Sequence, residues 1–426
     1  MTRSVRLLAV ALAATLWLGP APRRAEPAPP PAGEVVAPGV EYERIEADGV
    51  ISHVVRADLK AADLRVRSVK ADGKETVRDL ASRLDVGDAR VLAAINGDFF
   101  RPKTAAGLPF NAQVADGRVL FAPMKRSLIA FGPDNAPSIE IARMKARMAF
   151  STKAARATAR WHEIDDVNVL EEEITGRDGV FLFTPAFLGI KLGRAKGQIA
   201  VVEAVEPNLQ VGDVCEGRIA RVEDASADVD VPARGCLLFF NGTSARSLAA
   251  GLKPGHAVSL KIDLPPVSGD VAQAIGGGPR VVRDGRVSVE LKNEDFDPVY
   301  AAEISKRHPR SAVGYDKAKR TLFLVMVEGR HDQSRGMTFK ELAELLVKQG
   351  CHQAMAFDGG GSAGLWVAGK GFVSKSMGAF NRPEDREVAN ALVLTAVRRP
   401  PTADPAPAAM DGAPPPAGGT TPPPAR

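Results

Sequence analysis

The most constraining stretch of the chain is Gln353-Ala-Met-Ala-Phe-Asp-Gly-Gly-Gly-Ser-Ala363, a short apolar strand running straight into an acid, three glycines and a hydroxyl. Consecutive glycines after a buried strand cost chain entropy, and they let the backbone turn or approach a ligand where side chains forbid it. A fold containing this stretch has to present the end of the strand where a ligand can come close, so a site is expected there.

The chain has 426 residues, 45% hydrophobic and 25% charged, which is enough to bury a large core. Arg3 and Arg6, the uncharged run Leu7 to Leu18 and then Gly19-Pro20-Ala21 read as a Sec-type signal peptide over residues 1–25. That run is too short to span a bilayer, so the expectation is an exported protein, periplasmic or extracellular, with no membrane span after cleavage. An uncleaved anchor is the alternative. Of 32 prolines, seven fall in Pro20 to Pro38 and ten in Pro400 to Pro424, which sets off a Pro-rich linker (26–39) and a Pro/Ala-rich tail (400–426) from a folded domain over 40–399. A net charge of +5, with basic residues scattered and no aromatics among them, argues against nucleic acid as a partner. Cys215, Cys236 and Cys351 lack metal-type spacing; Cys215 and Cys236 could pair, or all could be buried thiols.

Along the chain, Val50 to Val55 and Leu64 to Val69 read as strands, and Thr76 to Leu84 as a capped amphipathic helix. Val91 to Ile95 is a strand ending in Asn96-Gly-Asp-Phe-Phe100, with Asn96 and Asp98 just past a strand end, where α/β sheets hold ligands. A plain Asn-Gly turn is the other reading of that pentapeptide. From about 139 to 262 the pattern is β-rich without a convincing helix, with Trp161, His162, Asp165 and Asp166 on a solvated loop at its front. Val271 to Ile275 ends in Gly276-Gly277-Gly278-Pro279, and a hairpin follows around Asp284-Gly285. Glu294 to Arg307 reads as a polar loop able to cover the site. Ser311 to Tyr315 and Thr321 to Val327 form a second hairpin, Thr338 to Glu341 is a capping box opening a helix, and Val388 to Val397 closes the fold. The fold class expected is α+β, a central mixed sheet with flanking helices and a β-rich inserted region.

Thr321 to Phe357 is a β-α-β unit, whose right-handed crossover would make the two strands parallel and place Glu328 and Asp358 on one edge. Adjacent strands would set them about 4.8 Å apart, and an intervening strand roughly 9.6 Å, spacings that suit a nucleophile with an acid or a trapped water respectively. Two such carboxylates would raise one another's pKa. Ion pairing of Glu328 with Arg330 and capping of the glycine turn by Asp358 are the alternatives. Gly359, Gly360 and Gly361, and Gly276 to Gly278 around Gly277, could each present backbone N–H groups to anionic oxygens, with Arg310 and Arg330 nearby.

Five motifs in this order, Asn96-Gly-Asp-Phe-Phe100, Gln273 to Pro279, Pro309 to Gly314, Glu328-Gly-Arg330 with Ser334 to Thr338, and Phe357 to Ser362, resemble the phosphodiester glycosidase family in its long bacterial form. That family is typified by N-acetylglucosamine-1-phosphodiester alpha-N-acetylglucosaminidase. The resemblance covers about Val50 to Val397. It implies a hydrolase that cleaves the bond between a sugar's anomeric carbon and a phosphodiester, with Asn96, Asp98, Arg310, Glu328, Arg330, Ser334, Asp358, Gly360 and Ser362 around the site. The family more often carries aspartate at the position of Glu328. The expected roles are Asp358 and Glu328 at the sugar carbon as nucleophile or base and as acid, Arg310, Arg330 and the glycine amides on the phosphate, and Asn96, Asp98, Ser334, Ser362 and Gly277 in binding substrate or phosphate. The expected partner is a sugar phosphodiester or anionic envelope glycan. No cofactor is required on this reading, although Ca²⁺ could be shared by Asp98 and Asp358. A glycan-binding envelope protein without catalysis and a phosphodiesterase breaking P–O are the rival readings.

Overall fold

The computed structural model describes residues 33–101, 107–151, 160–187, 192, 196–207, 209–225, 230–375 and 385–397. The expected signal peptide and C-terminal tail lie outside the described residues. The first strand, Glu34–Ala37, begins inside the stretch read as linker and pairs with Val40–Ala47.

Two helical crossovers organise the sheets. Helix Val77–Leu84 joins strands Leu64–Glu75 and Ala89–Asn96, and helix Phe339–Lys348 joins Thr321–Val327 and Gln353–Ala356. Both helices start where the sequence dictates, with the Thr76 side chain accepting from Asp79 N and Thr338 forming a capping box with Glu341. In both units a third strand, antiparallel to the other two, lies between the joined pair: Val388–Val397 in the first and Arg310–Tyr315 in the second. The joined strands are therefore parallel but not neighbours, and of the two spacings allowed by the sequence it is the one with an intervening strand that forms.

Around these units grow a five-stranded and an eight-stranded sheet. Their inner faces meet in one apolar layer that includes Val55, Leu324, Met326 and Met355 from the larger sheet and Leu92, Ile95, Leu392 and Leu394 from the smaller. The outer face of the smaller sheet is covered by Val77, Leu80 and Ala81, and that of the larger by Phe339, Leu342, Ala343 and Leu346. Each large apolar side chain fully buried in these layers contributes about 1.5–3 kcal/mol, which is what docks such short helices.

The α+β expectation is overturned: twenty-six strands in four sheets dominate the described residues, with five α-helices. The physical reason is that strand faces pack on strand faces, so only one amphipathic helix per sheet is needed to cover each outer side. The β-rich middle forms an eight-stranded sheet of its own, mostly antiparallel. Its two edge strands, Trp161–Ile164 and Asp166–Val167, are separated only by Asp165, so the sheet curls nearly into a barrel around Met148, Val202, Leu238 and Leu260. That segment is thus strand and not the solvated loop expected. Helix Gly242–Ala249, also not anticipated, lies against this sheet. Cys215, Cys236 and Cys351 are buried free thiols, so the first two do not pair.

Candidate functional site

The glycine-rich stretch ends its strand where the two packed sheets meet. Asn96, at the end of Ala89–Asn96, donates from Nδ2 to the main-chain oxygen of Asp358 at 2.7 Å, and Asp358 N donates to Gly97 O at 2.9 Å. Asn96 Oδ1 accepts from Ser311 Oγ and Gly364 N. Asn96 is thereby a buried tie between strand ends. Beyond Asp358 the chain needs glycine: a Cβ on Gly359 would stand 2.8 Å from Pro309 O, and Gly360 has φ +61°. Gly360 N donates to Pro309 O, which leaves at most Gly359 and Gly361 to offer N–H groups to a ligand.

Above this floor is a cavity of about 270 Å³ lined by Asp358 and Gly359 to Gly361, by Arg310, Arg330, Arg386 and His308, and by Phe99, Tyr300, Glu303, Ile304, Phe339 and Phe357. Three of these residues lie on or border helix Pro298–Ile304, so the segment expected to be a covering loop is partly helical and forms one wall. Arg310 is held firmly. Its Nε donates to Met337 O and its Nη2 to Ile304 O and Lys306 O, and the guanidinium lies 4.0 Å from the centroid of Phe339. Burial, then the charge of Arg330, lowers its pKa to about 10, so it stays cationic at neutral pH. Arg330 sits at φ +64° beside Gly360 and donates from Nη2 to His308 Nδ1 at 2.9 Å.

The carboxylates do not arrange as expected. Asp358 is partly exposed to the cavity, and desolvation by the surrounding protein raises its pKa to about 6, opposed by the nearby Ser362 hydroxyl and the charges of Arg386 and Arg330. The acid that interacts with it is Asp98, fully buried, whose pKa is raised to about 7 by burial and further by the charge of Asp358. Asp98 Oδ2 accepts from Asn111 N at 2.6 Å, while Asp98 Oδ1 is buried without a hydrogen-bond partner among the described residues. Glu328 is not among the cavity-lining residues. Its Oε1 is bonded to His53 Nε2 at 2.8 Å and accepts from Lys375 N at 3.2 Å, and its Oε2 is bonded to His331 Nε2 at 3.0 Å. Burial works to raise its pKa, but the hydrogen bonds from His53 and Lys375 N and the charges of the two histidines outweigh that and hold it below the usual carboxylate value. It does not pair with Arg330.

Ser334 is fully buried, accepting from Ile51 N and donating to Glu328 O, so it shapes the loop after Glu328 and does not face the cavity. Gly277 N donates to Ser127 O, and the amides of Gly276 and Gly278 are likewise taken by Ala112 O and Ala356 O. That glycine run serves close backbone packing, and its three amides are already engaged by main-chain oxygens. The sequence reading missed His308, Tyr300 and Arg386. Tyr300 packs edge-on against Phe99, and its pKa is pushed up to about 12, first by burial and then by Asp358. Only the Pro309-Arg310 motif next door pointed toward His308, and Arg386 lies in a charged stretch with no local pattern. Among the described residues no three His, Cys, Asp or Glu side chains cluster as metal ligands.

Residues 215–395 match the phosphodiester glycosidase family profile. An SPbeta prophage-derived uncharacterized protein of Bacillus subtilis, YomE, is 38% identical over 69 residues, 16% of this chain and 11% of that protein. Among solved structures, a hypothetical protein from Synechocystis superposes with a TM-score of 0.63 at 19% identity, over 84% of this chain and 62% of its own. A Burkholderia pseudomallei protein described as exported superposes with a TM-score of 0.58 at 21% identity, over 81% of this chain and 74% of its own. This chain therefore spans only part of the first of these relatives in each comparison, and the structural likeness speaks to the fold alone. Four of the five motifs that carry the resemblance to the phosphodiester glycosidase family lie within the matched residues 215–395, which hold Arg310, Arg330, Asp358 and the three glycines, while Asn96-Gly-Asp-Phe-Phe100 lies outside them.

Proposed function

We propose that the protein is an exported hydrolase that cleaves sugar-1-phosphodiesters of the N-acetylglucosamine-1-phosphodiester type in envelope or extracellular glycans. The observation that carries this reading is a cavity in which the partly exposed carboxylate of Asp358, at the floor, shares the lining with three guanidinium groups, those of Arg310, Arg330 and Arg386, while the Glu303 carboxylate lies on the helical wall and is paired with Lys306. A phosphodiester needs fixed cationic donors where charge develops on the departing phosphate, and Asp358 supplies the sugar carbon with one of the two carboxyl groups that glycosidases ordinarily pair, the acid partner being less needed when phosphate leaves.

In this scheme Arg310, Arg330 and the Gly359 and Gly361 amides hold the phosphate. The bond from the anomeric carbon to the phosphate oxygen breaks, the phosphate leaves with the electron pair as a monoester, and water supplies the new oxygen on the sugar. Asp358 serves the anomeric carbon as nucleophile or as the base for that water. Tyr300 and Phe99 offer aromatic edges to the sugar. The charge of Asp358 helps keep the buried Asp98 protonated, and Glu328 fixes the loop carrying Arg330. Phosphate is a good leaving group, so strong acid assistance is not required.

The test is hydrolysis of a synthetic N-acetylglucosamine phosphodiester in ¹⁸O water. Label in the released sugar is expected. Label in the phosphate product would establish P–O cleavage instead, and no product across a panel of sugar phosphodiesters would favour a protein that only binds anionic glycans.

A further inference from the structure

We infer that His308 is a positioning residue that holds Arg330 in its anion-binding orientation, as the neutral Nε2–H tautomer, and ties that arginine to helix Pro298–Ile304. The inference rests on the proposed function only in taking the cavity to receive an anionic phosphodiester oxygen.

The tautomer follows from the partners. Arg330 Nη2 can only donate, so His308 Nδ1, 2.9 Å away, is the acceptor and carries no proton. Glu303 O can only accept, so His308 Nε2, at 3.0 Å, carries the hydrogen. An imidazolium would have no lone pair for Arg330 and would set two cations against each other. The surroundings favour the neutral ring: burial, then the charges of Arg310 and Arg330, lowers its pKa, against the Glu303 carbonyl and carboxylate, which raise it. The neighbouring Arg307 is engaged by Glu341 and Lys306 by the Glu303 carboxylate.

The two arginines differ in how they are held. Arg310 has three carbonyl acceptors and the face of Phe339. Among the described residues the Arg330 guanidinium has one hydrogen-bond partner, His308, on a backbone in the left-handed region. Helix Pro298–Ile304 buries no residue of its own, and its last turn is held through Ile304 O by Arg310 and through Glu303 O by His308. His308 is thus the joint between the weakly docked helix and the loosely held arginine. Its removal releases Arg330 while leaving Arg310 fixed.

Two measurements on the full chain test this. In a ¹⁵N-histidine-labelled sample, the long-range ¹H–¹⁵N spectrum at pH 7.5 is expected to show an Nε2–H imidazole that disappears in His308→Asn. An Nδ1–H tautomer would overturn the inference. Calorimetric binding of N-acetylglucosamine-1-(methyl phosphate) is expected to weaken about tenfold in both His308→Ala and Arg330→Ala, with no further loss in the double variant. His308→Asn, whose amide oxygen can replace Nδ1, should recover most of the affinity, and KM should rise in His308→Ala with kcat within about twofold. Additive losses in the double variant, or wild-type affinity in His308→Ala, would overturn the proposal. If the wild-type protein binds no such probe, the functional reading fails, and the tautomer spectrum alone then decides the role of His308.

Discussion

Asn96 and Asp358 come from different sheets, yet the side-chain amide of one bonds the main-chain oxygen of the other at 2.7 Å. With Ser311 Oγ and Gly364 N also on Asn96 Oδ1, a single buried side chain satisfies three groups at the cavity floor. Asn96→Ala leaves all three unpaired, and each buried unpaired group costs about 1–3 kcal/mol. A markedly lower Tm by calorimetry is expected, together with weakened binding of a phosphodiester. A wild-type Tm would show that the tie does not hold the floor.

The coupled acids predict a pH dependence of stability. Asp98 has its folded-state pKa raised to about 7 from 3.8, so the stability it contributes is fully present below its unfolded pKa and is lost as pH rises through the folded value. Asp98→Asn removes that loss. The variant should gain on the wild type between about pH 4 and pH 8, by on the order of 4 kcal/mol at about 1.36 kcal/mol per pKa unit. Urea titrations at several pH values measure it, and a gap independent of pH would reject the buried charge.

Glu328 has the opposite sign. Its folded pKa lies below the usual value of 4.5, so its contribution is present above that value and is lost as pH falls through the folded one. Glu328→Gln should cost about 1–3 kcal/mol at pH 7 through weakened bonds to His53 and His331, and the gap should close in acid. Turnover is expected to fall no more than about tenfold. A loss of about a hundredfold or more, with stability unchanged, would mean that Glu328 acts on the substrate itself. Asp358→Asn, by contrast, should reduce turnover by at least about a hundredfold without a loss of fold.

Arg386 lines the cavity and its charge lowers the pKa of Asp358. Arg386→Ala should raise KM for a phosphodiester about tenfold, the loss of roughly one charge-assisted contact. It should also shift the Asp358 limb of the pH–rate profile to higher pH. An unshifted limb would separate Arg386 from the carboxylate.

Much of this was legible in the sequence, for physical reasons that differ by element. The capped helices at Thr76 and Thr338 and the hairpin turn at Asp284-Gly285 follow from local chemistry, and all three form. The strand Gln353–Ala356 and its glycine turn mark the cavity floor because only glycine fits against Pro309 O. What could not be read is long-range. Nothing in Arg310–Tyr315 announces that it will slip between the two strands of the crossover that follows it, and that insertion separates Glu328 from Asp358. The histidines His53 and His331 that surround Glu328 lie 275 residues before it and three after it, a convergence no spacing rule captures. Arg386 reaches the site only because it lies just before the last strand, which pairs with Ala89–Asn96 at the cavity floor.

That last strand has a consequence for how the molecule is made. Val388–Val397 sits between Leu64–Glu75 and Ala89–Asn96 and completes a sheet begun more than three hundred residues earlier. A chain emerging N-terminus first holds those two strands with an empty slot between them until nearly all of it has been synthesised. Loop closure over such a separation is slow, and unpaired strand edges stay exposed meanwhile. Asn96, whose neighbour Gly97 donates its N–H to Asn390 O, takes its final place only when the slot fills. The cavity floor is therefore assembled at the end of folding, and a molecule interrupted before residue 388 carries every arginine of the site and no place to use them.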